Sequence, residues 1–140
     1  EIGKSVIIKK PENCMFVTTG VMAQIALEAC EILEKQNIKC GLIHNHTVKP
    51  IDSDRLLNWI PKVAATISVE EHFRTGGMGS SILEILNDNL GANSVNFSRI
   101  GIPDKFTQNY GSQKSLLDSM KITPIFLAEQ MKLKLRDNNV

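Results

Sequence analysis

Val63–Leu86 reads VAATISVEEHFRTGGMGSSILEIL. Its opening, VAATISV, is nearly continuous in small and apolar residues, as a strand covered on both faces should be. Its close sets Met78, Ile82, Ile85 and Leu86 on one side of a helix, which Leu90–Gly91 ends with a C-terminal glycine. Between them, Val69–Ser81 packs two acids, a histidine, an arginine and three glycines into one corner. A strand that turns through glycines into an amphipathic helix is one unit of an α/β layer.

The same unit recurs in both directions. Residues 14–19, CMFVTT, predict a short strand ended by Gly20. Val21, Met22, Ile25, Ala26, Ala29, Ile32 and Leu33 then recur at helical spacing, with Gln24, Glu28, Glu31 and Lys35 opposite, and Asn37 ends that helix. Residues 38–43, IKCGLI, predict the next strand. HNHTVKPID makes a long turn in which Pro50 blocks helix at Lys49. Asp52 or Ser53 caps a short helix through Leu56, Leu57 and Ile60, which Pro61 stops.

Downstream, VNFSRI at 95–100 predicts a fourth parallel strand, and Pro103–Asp104 marks a turn in the loop that follows. Ser112 caps a helix through Leu116, Leu117 and Met120. Thr123–Pro124 starts a last helix that runs to about Arg136, with a frayed tail beyond. SVIIKK at 5–10 adds an edge strand, which Lys9 and Lys10 suit. The expected fold is α/β: a three-layer α/β/α open sheet, mostly parallel, with one antiparallel edge strand. Residues 1–140 read as one domain, and the opening EIGKSVIIKK reads as cut from a longer chain.

Composition excludes several functions. With 140 residues, 42% of them apolar, and a formal charge of +1, the chain is neither disordered nor a nucleic-acid binder. Aromatics at 5% are too few for base-stacking platforms. No apolar run approaches the ~20 residues of a membrane span. Cys14, Cys30 and Cys40 are odd in number, widely spaced and without C-x-x-C. They read as reduced core or near-surface thiols, which suits a cytoplasmic location.

Three readings compete for the Val69–Ser81 corner. Gly76, Gly77 and Gly79 open a helix whose free N–H groups favour a phosphate, but the spacing is G-G-x-G, not a dinucleotide or Walker pattern. His72, between Glu71 and Arg74, has the chemistry of a proton shuttle, yet no nucleophile with a fixed base lies nearby. The third reading is structural: glycine gives backbone freedom and close approach, while Glu70 and Glu71 lie near the positive end of the helix. His44 and His46, two apart at a strand end, lack the further ligands a metal needs.

Four segments together resemble one family. VTTGVMAQIALEACEIL, LIHNHTVKPID, ISVEEHFRTGGMGSSILEIL and IGIPDKF are similar in order and spacing to the C-terminal domain of transketolases, from about Glu1 to Lys132. The joint T-x-K-P-x-D and V-E-E-H-x-x-x-G-G-x-G-S motifs carry most of that likeness, and HTVKPID looks most like the separate C-terminal subunits of split transketolases. GIPDKFTQNYG departs from the family's phenylalanine–glycine continuation, and EIGKSVII resembles the junction after its middle domain.

The resemblance implies a thiamine diphosphate- and Mg²⁺-dependent enzyme that moves two-carbon ketol units between sugar phosphates. It implies a homodimer whose cofactor is held by the N-terminal and middle domains, which are then the partners of this one. The C-terminal domain is implied to be architectural and inactive alone. No catalytic, cofactor-binding or metal residue is therefore carried over. Thr47, Lys49, Pro50 and Asp52 match the family's turn motif, and Glu70, Glu71, His72, Gly76, Gly77 and Gly79 its loop motif. These are expected to be loop and interface elements. Two alternatives stand: the same domain of a 2-oxoacid dehydrogenase β subunit or of 1-deoxyxylulose-5-phosphate synthase, and a free-standing small-anion-binding module.

Overall fold

The computed structural model describes residues 1–104 and 110–137. Five strands, β1 (Val6–Lys9), β2 (Cys14–Thr18), β3 (Cys40–His44), β4 (Ala65–Phe73) and β5 (Phe97–Ile102), form one sheet in the order β1-β3-β2-β4-β5. The β3–β2, β2–β4 and β4–β5 pairs are parallel, and only β1 runs antiparallel, against β3. The expected three-layer sheet with an antiparallel edge is therefore the fold.

The helices are α1 (Met22–Glu34), α2 (Ser53–Trp59), α3 (Met78–Leu90), α4 (Gln113–Ser119) and α5 (Pro124–Arg136). A 3-10 turn, Ile60–Lys62, carries the chain through Pro61 beyond α2. The predicted caps at Asp52 and Ser112 form, accepting from Arg55 N and Ser115 N, and at the predicted start of the last helix Thr123 also caps, accepting from Phe126 N. Among the described residues, no helix is long and apolar enough to cross a membrane.

The strand pleat sorts the core into two halves. Cys14 and Phe16 of β2, Leu42 of β3 and Ile67 and Val69 of β4 point to the face covered by α1, α4 and α5. Met15, Val17 and Ile43 point to the other face, against Leu56 of α2 and Met78, Ile82 and Leu86 of α3. Both faces of β2 are thus buried, which is why its sequence shows no alternation. Cys14, Cys30 and Cys40 are all free and buried. Burial, then contact with the other two thiols, pushes the Cys40 thiol well up from its ordinary value.

The edge at β1 is guarded. Its pairing with β3 slips between Ile7 and Lys9, Lys9 bonds Glu34 at 2.5 Å, and Pro11 lies against Gly41. A bulge, a charge and a proline are three devices that discourage edge-to-edge pairing.

Strand boundaries differ from the sequence reading: β3 spans Cys40–His44 and not 38–43. β4 starts at Ala65 and runs on through Phe73, so Glu70, Glu71 and His72 lie in strand, not in a loop. β5 spans Phe97–Ile102, shifted towards the C-terminus, and supports this extension through the Phe73–Ile102 pair. The loop at 105–109 and the tail at 138–140 lie outside the described residues.

Phe16 is fully buried at the centre of the larger core. Phe16→Ala is expected to lower the unfolding free energy by about 3–5 kcal/mol, read as a drop in the urea midpoint at constant slope.

Candidate functional site

In an open parallel sheet, ligands gather where strand order reverses, at the carboxyl ends. Here the chain leaves β2 towards β3 through α1 on one face and leaves β4 towards β5 through α3 on the other. The reversal therefore falls between β2 and β4, and the glycine corner stands beside it.

The corner is built around one side chain. Glu70 is 1% exposed, and its two carboxylate oxygens accept from the first two N–H groups of α3. Met78 N donates to Oε2 at 2.6 Å and Gly79 N to Oε1 at 2.9 Å. Ser80 N and Ser81 N donate to the Gly77 carbonyl at 3.1 and 3.2 Å. All four N–H groups that open the helix are thus taken within the chain. The carboxylate also meets the positive end of the helix dipole.

The glycine spacing follows from what the start of the helix lies against. A Cβ on Gly77 would overlap Glu70 Oε2, and one on Gly79 would stand 2.6 Å from Ser68 Oγ. Gly76 has φ +77°, where side chains are strained. The glycines let the helix start close over the strand, and their cradle is filled by the protein's own acid rather than by a phosphate.

Ser80, the last residue of the loop motif, and Arg99, which the motif reading passed over, hold the rest. Ser80 Oγ donates to the Arg74 carbonyl at 2.9 Å and accepts from Gly76 N at 3.0 Å and Arg99 Nη1 at 2.8 Å. Arg99 Nη1 also donates to the Arg74 carbonyl at 2.8 Å. A lone arginine inside an apolar strand was the available signal for Arg99.

Glu71 and His72 do not join Glu70. Glu71 is exposed and accepts from Gln113 Nε2 at 2.8 Å on both oxygens, tying β4 to α4. His72 is exposed, with Nδ1 2.9 Å from the Phe73 carbonyl oxygen. Gly101 allows β5 to approach here, since a Cβ on it would stand 2.7 Å from the His72 carbonyl oxygen.

The turn motif forms a second cluster, after β3. Asp52 is 5% exposed. Its Oδ2 accepts from Ser5 N at 2.9 Å and Ser5 Oγ at 3.0 Å, and its Oδ1 from Arg55 N at 3.4 Å. Thr47 Oγ1 accepts from Gly3 N at 3.2 Å, and Lys49–Pro50 is cis. Burial alone would raise the Asp52 carboxyl, but the Ser5 and Arg55 hydrogen bonds and the Lys4 charge outweigh it and hold it below 3.8. His44 sits at the strand end, with Nδ1 3.2 Å from Thr18 Oγ1. Burial, then repulsion from His46, lowers its basicity.

A diphosphate with a divalent metal needs a free helix start and converging oxygen ligands. The start of α3 is filled, and among the described residues no group of three or more His, Cys, Asp or Glu side chains could hold a metal. The start of α3 therefore offers no opening for the diphosphate that the resemblance implies.

Comparison with known proteins decides the family. Residues 3–125 match the family model described as "Transketolase, C-terminal domain". The chain belongs to that family. It is 33% identical over 131 residues to a 1-deoxy-D-xylulose-5-phosphate synthase of Gloeobacter violaceus, covering 94% of this chain and 20% of that protein. The synthase of Halothermothrix orenii is 35% identical over 105 residues, covering 75% and 16%. A solved split gene transketolase, described as an inactive beta4 tetramer, superposes with a TM-score of 0.86 at 26% identity, over 97% of this chain and 43% of that one. The chain spans about a fifth of the length of these synthases. The likeness read from the two motifs is thus a family membership, and this transketolase C-terminal domain is of a kind found in both enzyme types.

Glu70→Ala strands two buried N–H groups and is expected to cost about 2–3 kcal/mol. Gly77→Ala collides with the same carboxylate, so the two penalties overlap. In a double-mutant cycle by urea denaturation, Gly77→Ala should cost less in the Glu70→Ala background than in the wild type, with a residual penalty from the Phe73 carbonyl, 2.8 Å from the added Cβ.

Asp52 supplies a pH test. Its folded value lies below its unfolded one, so its contribution is present above that unfolded value and fades as pH falls through the folded one. The stability gap between wild type and Asp52→Asn should be flat above about pH 5 and close on acidification below about pH 4.

Proposed function

We propose that this chain is the C-terminal assembly domain of a thiamine diphosphate-dependent transketolase, cut from a longer enzyme or working as a separate subunit. The family match supports the parent, and the filled α3 start supports the division of labour. The acid, glycine and serine groups of the loop motif serve each other, so cofactor and reacting centre belong to N-terminal and middle domains. Thiamine diphosphate and Mg²⁺ are held there, the assembly is a homodimer, and the location is cytoplasmic. The domain alone does not turn over sugar phosphates.

Formation of 1-deoxyxylulose 5-phosphate is the second reading, favoured by the names of the curated relatives. The split gene transketolase, with its TM-score of 0.86 over 97% of this chain, supports the first.

The deciding experiment combines this chain with the N-terminal and middle segments from the same organism. Thiamine-dependent ketol transfer should appear in the mixture and in neither part alone. Turnover by this chain unaided, or micromolar binding of thiamine diphosphate to it by calorimetry, overturns the reading. Formation of 1-deoxyxylulose 5-phosphate in place of ketol transfer selects the second.

A further inference from the structure

The T-x-K-P-x-D turn is spent on residues far away in sequence. Gly3 N reaches Thr47 Oγ1, and both the amide and the hydroxyl of Ser5 reach Asp52 Oδ2. Lys4 Nζ lies 3.8 Å from Asp52 Oδ1, and Arg55 Nε 3.4 Å from Oδ2. The position a Gly3 side chain would take faces the Pro50 ring, 3.4 Å from Cγ. Ser5 and Asp52 are each only 5% exposed, so these contacts are made out of water, where a charged acceptor binds an amide strongly.

Capping α2 takes only the Arg55 N bond to Asp52 Oδ1; the Thr47 and Ser5 contacts hold the strand entry. Because β1 runs against β3, with Val6 opposite His44, its first residue stands at the carboxyl end of the parallel strands. The segment held by Thr47 and Asp52 therefore lies at the same end of the sheet as the Glu70 corner. A chain arriving from upstream is delivered to that end, and its last residues are held at several points, not left to swing.

We propose that Thr47 and Asp52 form a clasp that grips residues 3–5 and fixes the direction from which preceding polypeptide enters the domain. The partner of this surface is an extended stretch of the chain itself, recognised by two backbone amides, one hydroxyl and one ammonium group. In the longer enzyme, a role that rests on the assembly reading above, the clasp holds the upstream domain in register with the carboxyl end of this sheet.

Spin labels at Ile2→Cys and Glu84→Cys test it on the 140-residue chain, since the three native thiols are buried and both chosen positions are exposed. A narrow distance distribution is expected, broadening in Asp52→Asn. Hydrogen exchange at the Ser5 amide should quicken about tenfold in that variant, and at the Gly3 amide in Thr47→Val, while β2 and β3 amides keep their protection. The pair Thr47→Val with Ser5→Ala leaves the Asp52 cap on α2 intact, so it separates the clasp from the cap and should show the same broadening. Unchanged widths and unchanged exchange in both variants overturn the clasp. That result leaves the thiamine-enzyme reading untouched, whereas failure of the reconstitution leaves the clasp standing.

Discussion

The contact on which this molecule depends is a carboxylate from the end of a strand closing the start of the helix that follows it. Glu70 and the first turn of α3 are eight residues apart, and the bonds between them fix where the helix begins. They also fix how near it lies to the sheet. A helix start left open inside a core would strand several N–H groups, each at a cost comparable to a lost hydrogen bond. The acid removes that cost, and in doing so requires a residue without a side chain at position 77, just before the helix. Gly77 is therefore a consequence of Glu70, whereas Gly79 answers to Ser68 and Arg99, whose side-chain atoms a Cβ there would meet at 2.6 and 2.8 Å.

This arrangement explains why a motif rich in reactive residue types does structural work. The oxygens of Glu70 are directed at backbone, the hydroxyl of Ser80 has one donor and two acceptor roles filled, and Arg99 bridges two elements. Asp52 follows the same logic at the neighbouring strand end, where one carboxylate serves both a helix cap and a distant segment. Two buried acids thus organise the connections leaving β3 and β4, both of which lead to helices on the same face.

Much of the architecture was legible because hydrophobic period and capping chemistry are local. The alternation of strand and helix, the caps at Asp52, Ser112 and Thr123, and the lysine-guarded edge all follow from residues within a few positions of each other. The course of β4 beyond Val69 did not. Glu70, Glu71 and His72 look like loop because their support comes from β5 and Gln113, some 30 to 40 residues on. The identity of the acid that meets the helix was equally hidden. Glu70 and Glu71 are chemically equivalent in the sequence, and only the pleat, which turns one inward and the other to solvent, separates them. The grip of Asp52 on Ser5, across 47 positions, is a tertiary fact with no local signature.

That separation by pleat bears on how such motifs are read. A string of glycines before a helix invites a phosphate, because free N–H groups at a helix start bind anions. The invitation holds only if no anion is already supplied by the chain. An acid placed on the inward face of the preceding strand, within reach of the first turn, supplies one permanently and with no entropy of association. In this domain the residue just before the exposed Glu71 meets that condition, and the glycine at 77 is what its reach demands. A glycine corner of this kind, with an inward acid ahead of it, is better read as a closed joint than as an open site.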